Sequence, residues 1–113
     1  MTTKSKHSEV VYIAGAYRGK NIHEITKNIN AAREAAIKYW KKGYTVICPH
    51  SNSALMDGSV PDEFFLAGGL ELVRRSDIVV VIGKEWQKSE GTLAEVQLAA
   101  KLNKKVLFRD FER

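Results

Sequence analysis

Five consecutive apolar residues, Ile78–Ile82, are followed by a short polar stretch and then by a helical pattern that continues to Leu102. A continuous apolar run of that length reads as a strand buried on both faces, and such strands belong to parallel sheets with helices packed on each side. Val10–Ala14 is a second short apolar run, closed by Gly15. Residues 45–48 are a third, stopped by Pro49, and residues 106–108 a fourth. Three helical patterns lie between these strands. Asn21 opens the first, with Glu24 three residues on as a capping-box partner. Ile22, Ile25, Ile29, Ala32, Ala36 and Trp40 form its expected inward stripe, and Gly43 ends it. Pro61, Asp62 and Glu63 open the second, which runs to about Arg75. Gly68-Gly69 is costly in its middle and predicts a kink or a close approach to the backbone. The third runs from about Thr92 to Leu102, with Leu93, Val96, Ala99 and Ala100 inward and Asn103 at its end.

This β-α-β-α-β-α-β order, with right-handed crossovers, predicts a three-layer α/β/α fold. Its parallel sheet is flavodoxin- or Rossmann-like, with four to five strands in the order 2-1-3-4. Residues 1–8 are polar and expected to be a disordered tail, and residues 9–113 a single domain. In that strand order ligands bind between the first and third strands, outside their carboxyl ends. The loops starting at Gly15 and Gly83 both converge there. Residues 50–60 lack periodicity and are rich in Ser, Asn and Gly, so they are expected to form a long loop of a size that is more often functional than not.

Two readings compete at Ser89-Glu90-Gly91-Thr92-Leu93-Ala94-Glu95. In one, the helix N-terminus is an anion cradle. Ser89 and Thr92 offer hydroxyls, Gly91 allows close backbone approach, and Glu95 points back over the strand ends, placed to attack a sugar carbon. In the other, Thr92 and Glu95 are merely a capping box. Across the crevice, Gly15, Tyr17, Arg18 and Gly19 form the first loop, where Arg18 is either a fork for a phosphate or carboxylate or a solvated loop arginine. Tyr12 reads as a core tyrosine whose hydroxyl needs a partner, with Glu95 as the candidate. His50 is a loop hydrogen-bonder or a catalyst. Asp77, between a helix and a strand, reads as structural. No metal site is expected, since no His, Cys or carboxylate partners stand at ligand spacing. No cofactor is expected either: the glycine of the Ser89 loop is not followed by a P-loop lysine, and the first loop lacks the three-glycine dinucleotide fingerprint.

The net charge of +5 suits anionic ligands, but Lys and Arg are scattered, and their doublets fall near helix ends. That distribution argues against a nucleic-acid-binding face. A single cysteine, Cys48, excludes an intrachain disulfide and suits a reducing compartment. No apolar run reaches the length of a membrane span and the N-terminus has no signal-peptide core, so a cytoplasmic protein is expected. Exposed sheet edges and amphipathic helices predict a homo-oligomer.

Taken together, the segment from Tyr12 to Gly19, the Arg75-Ser76-Asp77 lead into the apolar strand, and Ser89-x-Gly91-Thr92-x-x-Glu95 resemble the nucleoside 2-deoxyribosyltransferase superfamily. Small phage and bacterial domains of the DUF4406 kind look closest, and the 2'-deoxynucleoside 5'-phosphate N-hydrolase is similar. The resemblance implies that Glu95 is a nucleophile attacking C1' of a deoxyribose, oriented by Tyr12, with a glycosyl-enzyme ester resolved by a base or by water. It implies that Ser89, Gly91, Thr92 and Arg18 hold a 5'-phosphate, and that the stretch from His50 to Asp57 covers the base. The family's second carboxylate, which helps protonate the leaving base, would fall near Gly69, where this chain has no acid. His50 or Asp57 are the expected substitutes, while Glu71 should lie on another helix face. The reading is an N-glycosidase or deoxyribosyltransferase acting on a small-molecule nucleotide or nucleoside. The alternatives are a non-catalytic binder of a nucleotide or ADP-ribose-like ligand and, behind it, a basic nucleic-acid-binding module.

Overall fold

The computed structural model describes residues 8–54 and 56–109. The expected tail at residues 1–8 therefore lies almost wholly outside the described residues. Along the chain run β1 (Val10–Ala14), α1 (Ile22–Lys41), β2 (Thr45–Ile47), α2 (Pro49–Asn52), α3 (Asp62–Arg74), β3 (Ile78–Ile82), α4 (Glu90–Lys101) and β4 (Lys105–Arg109), with a 3-10 turn at Trp86–Lys88 before α4. The sheet has four strands in the order β2-β1-β3-β4. Every pairing is parallel, with Tyr12 opposite Ile47 on one side and Val79 on the other. This is the α/β architecture and strand order that the sequence predicts.

The alternation of side chains along the central strands sorts the core into two halves. Val11 and Ile13 of β1 join Ile78, Val80 and Ile82 of β3 against Ala32, Ala35, Ala36 and Tyr39 of α1. Tyr12 and Ala14 join Val79 and Val81 on the opposite face, against Val73 of α3 and Ala99 of α4. Tyr12 is thereby placed on the α3–α4 side of the sheet. At the far end of the strands Asp77 accepts from the Val10 N–H through Oδ2 at 2.8 Å, while its own N–H donates to the Val10 carbonyl at 2.8 Å. The β1–β3 register is pinned there, which is the structural role expected of Asp77.

The α1 stripe is rotated by about 60° from the expected one. The buried residues are Ala32, Ala35, Ala36 and Tyr39, whereas Trp40 is 48% and Ile22 62% exposed. Small side chains let α1 lie close to the sheet, and a tryptophan in that seam would hold it away. In α4, Thr92 and Ala99 are buried and Ala100 is exposed, so Ala100 does not face inward as expected. The long loop is also not structureless throughout. Residues 49–52 form one helical turn, opened by Pro49 at a position where its missing N–H has no partner to lose. Gly43 at φ 97° and Asn103 at φ 58° end α1 and α4 in the left-handed region.

The two central glycines of α3 differ. Nothing lies within 4 Å of a Cβ built on Gly68, whereas one on Gly69 would meet Glu95 and Tyr12. Gly68→Ala should therefore stabilise the protein by about 0.5–1 kcal/mol through lower chain entropy in the unfolded state. Urea unfolding measures this, and a destabilised variant would show that the exposed side of α3 is not open.

Candidate functional site

Sheet alternation and the start of α4 together determine where Glu95 lies. The N-cap of α4 is Ser89, whose Oγ accepts from the Thr92 N–H at 3.3 Å and from the Thr92 hydroxyl at 3.0 Å. Thr92 is thus inside the helix and buried, and the Thr92–Glu95 capping box does not form. Glu95, released from that role, turns toward the sheet and accepts a 2.5 Å hydrogen bond from the Tyr12 hydroxyl at Oε2. A Cβ on Gly69 would sit 2.6 Å from the same Oε2 and 3.2 Å from the Tyr12 hydroxyl. The close approach anticipated from Gly68-Gly69 is therefore at Gly69. Glu71 is on another face, paired with Arg74 and Arg75.

Removing this carboxylate from water raises its pKa to about 7, against a smaller lowering by the Tyr12 hydrogen bond. Tyr12 is pushed well above its ordinary value by burial and by the neighbouring carboxylate, so it stays a hydrogen-bond donor. Near neutral pH both the protonated and the ionised forms of Glu95 are therefore accessible.

The first loop is held from behind by side chains. The His50 Nε2 lies 3.1 Å from both the Gly15 and the Ala16 carbonyls. Two carbonyls require a donor, so Nε2 carries the proton and Nδ1 does not. Burial lowers the His50 pKa, which keeps the ring neutral. The Asn28 Nδ2 donates to the Tyr17 and Arg18 carbonyls at 3.1 Å each, and Glu24 accepts from the Lys20 N–H at 2.7 Å. Sequence reasoning missed Asn28. The stripe expected for α1 left Asn28 off the inward face, and only the rotation of the helix brings it toward the first loop. Gly15 packs so closely on Ile82 that a Cβ there would lie 2.6 Å from Cγ1, and Gly19 is similarly pressed against Glu24. Both glycines therefore serve loop packing.

Arg18 is a largely exposed loop arginine, its side chain 61% accessible, but it is not a free phosphate fork. It pairs with Asp57 at 3.3 Å and Asp62 at 2.6 Å, and Asp57 also accepts from the Tyr17 hydroxyl at 2.8 Å. His50 and Asp57, the expected substitutes for the missing acid, are thus both engaged with the first loop. All the residues anticipated for the site except Gly19 nevertheless line one cleft of about 1140 Å³, with Phe64 and Leu66 exposed on its rim. Among the described residues, no group of three or more His, Cys, Asp or Glu is placed to hold a metal ion, and no helix is long and apolar enough to cross a membrane.

A family model described as a domain of unknown function, DUF7768, matches residues 9–109. This corrects the DUF4406-like assignment drawn from the sequence motifs. No curated protein matches the sequence. Among solved structures the fold is similar to a 2-deoxyribosyltransferase from Leishmania mexicana, with a TM-score of 0.64 and 17% identity, covering 90% of this chain and 64% of that one. The chain thus spans less than two thirds of the length of that enzyme, and at this identity the likeness is one of fold.

Two outcomes follow from the desolvated carboxylate. The folded-state pKa is above the ordinary carboxylate value of 4.5, so the folded state holds the proton more tightly. The stability this provides is full below that value and is lost as pH rises through about 7. The loss amounts to about 3 kcal/mol. Glu95→Gln should escape it, so urea unfolding at acidic and alkaline pH should show the variant gaining on the wild type as pH rises. Parallel pH profiles would refute the buried-carboxylate account. Gly69→Ala should displace Glu95 from Tyr12 and cost about 1–3 kcal/mol of overpacking in the same assay, where Gly68→Ala is stabilising.

Proposed function

The chain belongs to the DUF7768 family of domains of unknown function, and we propose that it cleaves or exchanges the N-glycosidic bond of a 2'-deoxynucleoside. The observation that carries this reading is the Tyr12–Glu95 pair, in which the buried Tyr12 of mid-β1 donates to the part-buried Glu95 of α4 on the floor of the cleft. Glu95 in its ionised form attacks C1' as the base departs with the bonding electrons. An ester forms between Glu95 and the sugar, and water or a second base then attacks C1' and releases the carboxylate. Tyr12 donates to Oε2, which leaves Oε1 as the attacking oxygen, and it restrains the side-chain torsions of Glu95. The similarity of fold to a 2-deoxyribosyltransferase supports this chemistry.

One observation favours the second reading, a binder of nucleotides or ADP-ribose-like ligands without turnover. Gly69 faces the carboxylate where the resemblance calls for an acid, and general-acid assistance to a leaving group is typically worth about 10²–10⁴-fold. On the glycosidase reading, the base must leave with little help from the protein, and substrates with good leaving groups should react fastest.

Incubation with each deoxynucleoside and deoxynucleoside monophosphate, with and without an acceptor base, should release free base detectable by chromatography. Glu95→Gln should release none. Because the nucleophile must be ionised, the rate should fall on the acid side of a pKa near 7. Base release that survives Glu95→Gln would remove the proposed nucleophile. Absence of release together with a ligand-induced rise in melting temperature would establish the binder.

A further inference from the structure

The protein is basic, with 18 Lys and Arg against 13 Asp and Glu, yet its cleft is acidic. Among the described residues, Arg18 and Lys88 are the cations that line it. Against them stand five carboxylates besides Glu95: Glu24, Asp57, Asp62, Glu85 and Glu90. The lining therefore carries a net charge of −3 before any ionisation of Glu95, on a chain whose net charge is +5.

These charges stand around the mouth of the cleft, the paired side chains being 37–80% exposed. Arg18 is shared between Asp57 and Asp62, a cluster of net charge −1. Lys88 is paired with Glu85. Glu90 occupies the first turn of α4, so the positive end of the helix dipole already has a carboxylate beside it. A cleft with low-dielectric walls concentrates the field of such groups, and an anion entering it meets the summed repulsion. The donor that remains at the start of α4 is a neutral hydroxyl, which adds no positive charge to offset the carboxylates. The Ser89 Oγ takes two hydrogen bonds as acceptor, which leaves its own hydroxyl hydrogen to donate.

From this charge arrangement we infer that the cleft selects an uncharged deoxynucleoside over its 5'-monophosphate. The inference rests on the glycosidic reading for the identity of the ligand, and it reverses the phosphate preference that Arg18 and Ser89 suggest in the sequence. Asp57, Asp62 and Glu90 are the residues that set the selectivity.

Calorimetry on Glu95→Gln protein, which cannot consume its ligand, tests the inference with each common deoxynucleoside and its 5'-monophosphate. The nucleoside should bind about tenfold tighter or more at about 50 mM salt, and the ratio should shrink at about 300 mM as the field is screened. Substituting Asp57→Asn and Asp62→Asn in the same protein releases Arg18 and should narrow the ratio by about tenfold. Equal or tighter binding of the monophosphate by Glu95→Gln protein that retains both aspartates overturns the inference. Wild-type turnover separates the two claims. Nucleoside preference without base release keeps the selectivity and removes the glycosidic reading. Base release with the monophosphate preferred does the reverse, and failure of both ligands to bind removes both.

Discussion

The structure turns on one carboxylate, that of Glu95, largely withdrawn from water and accepting one short hydrogen bond from Tyr12. An isolated buried charge is expensive, so such a group needs a reason to be there and neighbours that keep it there. The sheet provides Tyr12 because odd and even residues of β1 face different layers. Helix α3 comes close because it carries glycine at position 69. Helix α4 supplies the carboxylate because its cap is Ser89, so that Glu95 falls on the side facing β1 rather than near the helix mouth. Each of the three is an ordinary packing decision, and a loosely solvated carboxylate would result if any one changed.

The two layers of the fold are unequal partners. On one side α1 lays a row of alanines against the sheet and, through Glu24 and Asn28 near its start, holds the first loop. On the other, α3 and α4 cover the sheet incompletely, with a tyrosine in place of an aliphatic residue, and the cleft opens where the cover stops. Trp86 and Phe108, with ring centroids 5.2 Å apart, close the outer edge of that layer, next to β4. The division explains how a small domain reconciles a continuous apolar core with a polar site: the two meet at Tyr12, whose ring belongs to the core and whose hydroxyl belongs to the site.

Much of the fold was legible because burial on both faces leaves a signature no loop imitates, as in Ile78–Ile82, and because left-handed Gly43 and Asn103 mark helix ends chemically. The Tyr12–Glu95 pair was legible for a related reason: a core phenol must bond to something. What could not be read depended on the path of the chain between elements. Whether Ser89 or Thr92 caps α4 is decided by the backbone conformation at Ser89, since both side chains are competent. The capture of Arg18 by Asp57 and Asp62 depends on where residues 56–61, a stretch without periodicity, bring Asp57. The face of α1 was misplaced because isoleucine and tryptophan outrank alanine on any hydrophobicity scale, whereas here closeness of packing decided the matter.

Asn28 and His50 take the carbonyls of residues 15–18 from the protein side. Ordering a backbone residue costs about 1–2 kcal/mol of conformational entropy, and in this loop that loss falls on folding. A ligand arriving at Tyr17 and Arg18 meets a wall that is already set, and its affinity is not diluted by the work of arranging the loop. The stiffness has a second face. A rigid wall cannot adapt to a ligand of another shape, so new specificities should arise more readily from residues 56–61, around Asp57, than from this loop.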